Sequence, residues 1–166
     1  EHALAWKLAK NNRVEKIYVA PGNGGTAGEE KCENIDINDI DELLKFAIEK
    51  SIDLTVVGPE EPLTKGIVDK FKDKGLKIFG PSEEAARLEG SKSFSKDFMK
   101  KYGIKTAEYE VFYDYNKALS YLEKCSFPIV IKADGLAAGK GVVICEKKEE
   151  AVNTLKDFMI EDIFKG

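Results

Sequence analysis

The sequence is poor in the residues from which metal and disulfide scaffolds are built. It has one histidine, His2, and three cysteines, Cys32, Cys125 and Cys145, odd in number, far apart and without a CxxC pair. Neither a disulfide framework nor a structural zinc site fits such a set. A basic excess is missing as well. The 26 Lys and Arg against 30 Asp and Glu leave a net charge of −4, which argues against a nucleic-acid partner. No apolar run reaches the roughly 18 residues of a membrane span, and no signal peptide is visible. Internal repeats and low-complexity tracts are absent. What is present is 166 residues, 43% hydrophobic and 34% charged. That is the composition of a reduced, cytoplasmic globular protein, long enough for one domain or for one domain and part of a second.

The chain opens directly in a helical pattern, "EHALAWKLAKN", with Ala3, Leu4, Ala5, Leu8 and Ala9 at three-to-four spacing and no cap before them. It stops at "FMIEDIFKG" without a closing element. Both ends suggest an excerpt of a larger protein, with a strand expected before residue 1.

Between the ends, strand and helix alternate. "KIYVAPG", "IDLTVVGP" and "LKIFGPS" read as apolar strands. "DINDIDELLKFAIEKS" reads as an amphipathic helix capped by Asn38 or Asp39, with Ile40, Leu43, Leu44, Ala47 and Ile48 on one face. "LTKGIVDKFKDKG" reads as a helix closed by Gly75. "SEEAARLEGSKSFSKDFMKKYG" is helical from Ser82 to Gly103, with Gly90 dividing it. Three apolar strands separated by amphipathic helices predict an α/β fold with a parallel, doubly wound sheet, whose ligands bind outside the carboxyl ends of the strands. Beyond Gly103 the rhythm changes. "AEYEVFYD" alternates like an edge strand, "YNKALSYLEKC" is a helix with Ala118, Leu119 and Leu122 inward, and "FPIVIKAD" and "GVVICEK" are strands before a last helix from about Glu149. This predicts a second, small α+β unit with antiparallel pairing, the boundary lying near residues 103 to 110.

Four stretches carry candidate chemistry. "KADGLAAGKG", residues 132 to 141, joins two strands through a loop too long for a plain hairpin turn. It is not a Walker A loop, because only three residues separate Gly135 from Gly139 and a strand follows rather than a helix. It reads as a flexible lid of bare backbone N–H groups with Lys140 at its tip, suited to an anion. Lys132 sits inside the apolar strand below it, where a charge needs a partner; a surface hairpin with incidental lysines is the plainer alternative. "APGNGGTAG", residues 20 to 28, matches G-x-G-x-x-A at Gly22, Gly24 and Ala27, but no amphipathic helix follows, which excludes a dinucleotide fingerprint. A turn holding a small anion through its N–H groups, Asn23 and Thr26 is one reading, a simple turn the other. "GPEEPL", residues 58 to 63, reads as a rigid acidic loop in which Pro59 and Pro62 flank Glu60 and Glu61, for a substrate amine or hydroxyl, or merely solvated. In "EGSKSFSK", Lys92 and Lys96 are one helical turn apart and can face one anion, although surface lysines usually carry no such role.

Taken in order, "EHALAWKLA", "VAPGNGGTA", "DLTVVGPEEPL", "GLKIFGPS", "LEGSKSFSKDFM" and "PIVIKADGLAAGKGV" resemble the amino-terminal half of the glycinamide ribonucleotide synthetase family, in the ATP-grasp superfamily. The likeness runs across essentially the whole chain. It implies a parallel, doubly wound pre-ATP-grasp domain over 1–88, a connecting helix and the start of the ATP-grasp core over 89–109, and an incomplete ATP-grasp lid subdomain over 110–166, with the chain truncated at both ends. It implies ATP and Mg2+ or Mn2+ as cofactors, and ligation of glycine to 5-phosphoribosylamine through glycyl phosphate, yielding glycinamide ribonucleotide, ADP and phosphate. By the same resemblance the ATP-binding residues are Lys92, Lys132, Asp134, Gly135, Leu136, Ala137, Ala138, Gly139, Lys140 and Gly141. The substrate-binding residues are Gly22, Asn23, Gly25, Thr26, Pro59 and Glu60. Metal ligands are expected beyond Gly166, and no catalytic side chain is assigned within the chain. Its partners are the three small molecules, without nucleic acid, membrane or a second subunit. Alternatives are another ATP-grasp purine enzyme, carboxylating or formate-using, or a ligand-binding piece with no activity alone.

Overall fold

The computed structural model describes residues 1–137 and 139–161. The chain divides into two compact units, Glu1–Ala86 and Arg87–Gly166.

In the first unit, helix α1 (His2–Ala9) precedes strand β1 (Ile17–Val19), the short helix α2 (Gly24–Ala27) and strand β2 (Cys32–Asn34). Helix α3 (Ile40–Glu49) leads to β3 (Thr55–Val56), the helices α4 (Glu60–Thr64) and α5 (Ile67–Asp73), and β4 (Ile78–Phe79). β1 pairs in parallel with β2, Ile17 opposite Cys32, and β3 with β4, Thr55 opposite Ile78. Each parallel pair is thus bridged by helix, as the α/β alternation predicts. The ladder nevertheless differs from the expected single sheet, since its hydrogen bonds form two separate two-stranded pairs. β2 was not among the expected strands; "CEN" lacks the apolar run that marks a buried strand, and one of its three side chains is exposed.

Local chemistry explains the helix borders. Asp39 caps α3 by accepting hydrogen bonds from the N–H groups of Asp41 (2.9 Å) and Glu42 (3.0 Å). Ala47 lies buried on that helix, with Ile40, Leu43 and Leu44 packed beside it, whereas Ile48 is exposed and does not join the apolar face. The helix predicted from Leu63 to Gly75 is broken at Gly66, which takes a left-handed φ of 76° between α4 and α5. Ile67, Val68 and Phe71 of α5 are buried against α3 and the β3–β4 pair, and form the core of this unit.

Helix α6 (Glu83–Gly90) ends where α7 (Lys92–Lys101) begins, so the predicted division falls at Ser91, which caps α7 through Phe94 N–H (3.2 Å). The segment 107–114, expected as an edge strand, carries no strand; its alternation lacks a pairing partner. Asp114 caps helix α8 (Tyr115–Leu122), and strands β5 (Ile129–Lys132) and β6 (Val142–Cys145) pair antiparallel, Lys132 opposite Val142. Helix α9 (Lys148–Met159) follows. Ala118 and Leu122 of α8, Cys145 of β6, and Ala151 and Leu155 of α9 form the core of the second unit, with Ile129, Ile131 and Val143 of the hairpin packed on it. The opposite face of the hairpin, Val130, Lys132, Val142 and Ile144, is exposed.

Candidate functional site

The glycine loop leaves β5 at Ala133 and returns at Gly141, closed at its base by Ala133 N–H to Gly141 O (2.8 Å). Gly135 adopts a φ of 83°, a left-handed conformation that a side chain would strain. Two of the loop's N–H groups are committed internally, Gly135 to Asp134 Oδ1 (3.0 Å) and Lys140 to Ala137 O (2.8 Å). The wholly bare nest expected from the glycines is therefore partly closed. Ala138, expected to contact ATP, lies outside the described residues. Leu136 is exposed and Ala137 half-buried, while Gly139 and Lys140 are exposed and Gly141 is buried.

The loop is fastened to α7. Asp134 Oδ1 accepts from the N–H groups of Lys92 (2.6 Å) and Ser93 (3.2 Å), and Oδ2 accepts from the Ser93 hydroxyl (2.5 Å) and the Ser91 hydroxyl (3.2 Å). The carboxylate thus meets the positive end of a ten-residue helix. Partial burial pushes the Asp134 carboxyl up, but the hydrogen bonds from Ser93, Gly135 and Lys92 outweigh this and hold it below the ordinary aspartate value. Lys92 Nζ donates to Gly135 O (2.6 Å), placing its half-buried ammonium on the loop's first turn. Sequence reasoning put Asp134 among ATP ligands. No spacing rule pairs it with Ser91 and Ser93, more than 40 residues away.

Lys132 ends β5 on its exposed side, so the premise that its charge is buried among apolar residues does not hold; alternation along the strand turns it to solvent. Among the described residues its ammonium has no hydrogen-bond or ion-pair partner. Lys96, one turn beyond Lys92, is instead occupied by the Thr106 hydroxyl (2.6 Å) and Ala107 O (3.0 Å).

In the first unit, "PGNGGT" forms a turn that opens the four-residue helix α2, where the sequence predicted a turn, anion-holding or plain, with no amphipathic helix after it. Asn23 Oδ1 accepts from the N–H groups of Gly25 (2.9 Å) and Thr26 (3.1 Å). The Thr26 hydroxyl accepts from Asn23 N–H (2.8 Å) and faces Asn34 Oδ1 (2.7 Å). Thr26 is fully buried, so its side chain shapes the turn from inside. Gly22 packs beside Asn34 with no room for a Cβ, and Asn23 is exposed at the tip. "GPEEPL" is not a loop either; Pro59 is the extended residue before α4, and proline leaves no N–H unsatisfied in a helix's first turn. Glu61 pairs with Lys65 (2.7 Å), which lowers its pKa, while Glu60 is exposed and among the described residues unpaired.

Among the described residues no three His, Cys, Asp or Glu gather where they could hold a metal ion. A surface depression of 390 Å³ bordered by Phe112, Lys117 and Tyr121 includes none of the nominated residues. No described helix is long and apolar enough to cross a membrane.

Known proteins match both parts of the chain. The phosphoribosylglycinamide synthetase N domain matches residues 1–89, and the ATP-grasp (A) domain of the same synthetase matches residues 90–166. The phosphoribosylamine–glycine ligase of Clostridium acetobutylicum is 66% identical over 166 residues, covering 100% of this chain and 40% of that protein. The ligase of Fusobacterium nucleatum is 56% identical over 164 residues, 99% of this chain and 38% of its own length. The crystal structure of phosphoribosylamine–glycine ligase from Thermotoga maritima superposes with a TM-score of 0.74 at 35% identity, over 99% of this chain and 38% of that one. The biotin carboxylase domain of Hydrogenobacter thermophilus 2-oxoglutarate carboxylase shares the fold alone, with a TM-score of 0.72 at 18% identity, over 99% of this chain and 40% of that one. The chain thus spans about 40% of the length of its relatives. With both family domains matched in order and the glycine loop seated on α7 within the second, the chain belongs to the phosphoribosylglycinamide synthetase family.

Proposed function

We propose that this chain supplies the first substrate-binding unit and the nucleotide-phosphate lid of an ATP-dependent ligase that joins glycine to 5-phosphoribosylamine in purine biosynthesis. The observation that carries the reading is the clustering of Lys92 on the glycine loop, with Lys132 at the end of the strand feeding it. Phosphoryl transfer depends mostly on positioning and on neutralising phosphate charge. An ammonium has three donors; Lys92 commits one to Gly135 O and keeps two for an anion. Lys132, at the end of the strand that feeds the same loop, offers an ammonium that is unpaired among the described residues. The segment from Gly135 through Leu136, Ala137, Ala138, Gly139 and Lys140 to Gly141 then covers the β- and γ-phosphates.

In this reading ATP activates the glycine carboxylate as glycyl phosphate. The amine of 5-phosphoribosylamine attacks the acyl carbon and inorganic phosphate leaves. The first unit presents Gly22, Asn23, Gly25, Pro59 and Glu60 to the substrates, with Thr26 holding the turn from within. Among the described residues no acidic cluster suited to magnesium is present, and in this reading the metal is held by residues beyond Gly166. The domain plan is a pre-ATP-grasp unit over 1–88, a connector over 89–109 and a lid subdomain over 110–166. The enzyme works as a cytoplasmic monomer.

Titration of the full-length enzyme with ATP tests the reading. Lys132→Ala should weaken ATP binding about 10- to 100-fold, the equivalent of one charged hydrogen bond of roughly 1.5–3 kcal/mol, with glycine binding unchanged. An ATP affinity within about twofold of wild type would remove Lys132 from the phosphate site.

A further inference from the structure

We propose that Asp134 is a positioning residue, a carboxylate latch that fixes the start of the glycine loop to the N-terminus of α7 and so sets Lys92 at the loop's first turn. The proposal rests on the reading of that loop as a phosphate lid. It assigns Asp134 a part other than contact with ATP.

The geometry is that of a double clasp. The loop's carboxylate holds the backbone of Lys92 (2.6 Å) and the loop's next carbonyl, Gly135 O, holds the ammonium of the same residue (2.6 Å). Lys92 is therefore gripped at both ends by consecutive loop residues. A carboxylate offers about four acceptor positions, and these meet the N–H groups of Lys92, Ser93 and Gly135 and the hydroxyls of Ser93 and Ser91. An acceptor so occupied has nothing to give a nucleotide phosphate, which is itself an acceptor. The latch also answers an electrostatic problem. A free carboxylate next to Gly135 would repel a phosphate lying on the loop. Directed into the helix N-terminus, its charge is offset by the helix dipole and by donated hydrogen bonds. Release of the latch would free the loop and Lys92 together, and ordering them again would come out of ATP binding.

The experiment uses the full-length enzyme, with two measurements on Asp134→Ala, Asp134→Asn and Ser93→Ala, and with Asp114→Ala, at the cap of α8, as control. Hydrogen exchange without nucleotide reads the latch itself. Asp134→Ala should speed exchange of the Lys92, Ser93 and Gly135 amides at least about tenfold, and Asp114→Ala should leave them unchanged. ATP titration and steady-state kinetics read its consequence. Asp134→Ala should raise the ATP Kd about tenfold or more with the KM for glycine unchanged. Asp134→Asn and Ser93→Ala should fall between it and wild type, since each keeps part of the acceptor or donor set. A merely structural role would lower Tm while leaving the ATP Kd of the folded enzyme alone, and that result overturns the proposal, as does unchanged amide exchange in Asp134→Ala. Failure of the lid reading looks different. In that case ATP gives wild-type enzyme no protection anywhere in the loop, while the latch amides still respond to Asp134→Ala.

Discussion

Lys132, Lys140 and Asp134 lie in one ten-residue stretch and do different physical work. Lys132 is exposed and unpaired among the described residues, so its removal should cost ligand affinity without costing stability, and the Tm of Lys132→Ala should match wild type. Lys140 is exposed within the loop that the proposal closes over the terminal phosphates. Lys140→Ala should therefore lower kcat more than ATP affinity, a split that steady-state kinetics with ATP varied will show. Asp134 has a pH signature. Its folded pKa lies below its unfolded value, so its stabilising contribution is fully present above the ordinary aspartate pKa of about 3.9 and fades as pH falls through the folded value. The Tm difference between wild type and Asp134→Asn should be constant from about pH 8 to pH 5 and shrink only below about pH 4. A difference that disappears near neutrality would mean that the carboxylate is not held by these donors.

At the scale of elements, caps and left-handed turns set the borders. Asp39 satisfies two otherwise orphaned N–H groups of α3, and Asp39→Ala should destabilise by about 1 kcal/mol. Gly66 divides α4 from α5 with φ 76°, and a Cβ there would lie 2.7 Å from Glu83 Oε2. The Glu83 side chain can turn aside, so the cost of Gly66→Ala is mainly backbone strain, about 1–2 kcal/mol, measurable by urea denaturation. Much at this scale was legible in sequence: Asp39, Ser82, Gly75 and Gly103 act as the expected helix signals, with Ser82 Oγ accepting from Ala85 N–H and Gly75 and Gly103 both left-handed. The departures share a cause. "EEPLT" became α4 because its prolines sit where a helix needs no N–H, and "CEN" became β2 because a neighbouring strand, not its own hydrophobicity, supplies the pairing. "AEYEVFYD" failed as a strand for the converse reason, alternation without a partner.

At the scale of the molecule, the two core clusters share no residue among the described ones. Phe71 in the first is 1% exposed and Leu122 in the second is 4% exposed. Phe71→Ala should cost about 3–5 kcal/mol and Leu122→Ala about 2–5 kcal/mol through the cavities they leave. Because the packing sets are disjoint, the double mutant should be additive within about 0.5 kcal/mol, and a larger coupling energy would show the two cores to be energetically linked.

The sequence by itself determined the alternation of strand and helix, most helix ends, and the glycine- and lysine-rich loop between β5 and β6. These follow from neighbours in the chain: periodicity, caps and backbone freedom act over a few residues. Tertiary structure decided which groups meet. Lys132 proved exposed because alternation set its face of β5. Lys96 was drawn to Thr106 and Ala107, and Thr26 turned into its own turn. Asp134, a loop residue by sequence, became the anchor of a helix more than 40 residues before it. A carboxylate goes where donors and positive potential gather, and the N-terminus of α7 gathers them only once the chain has folded.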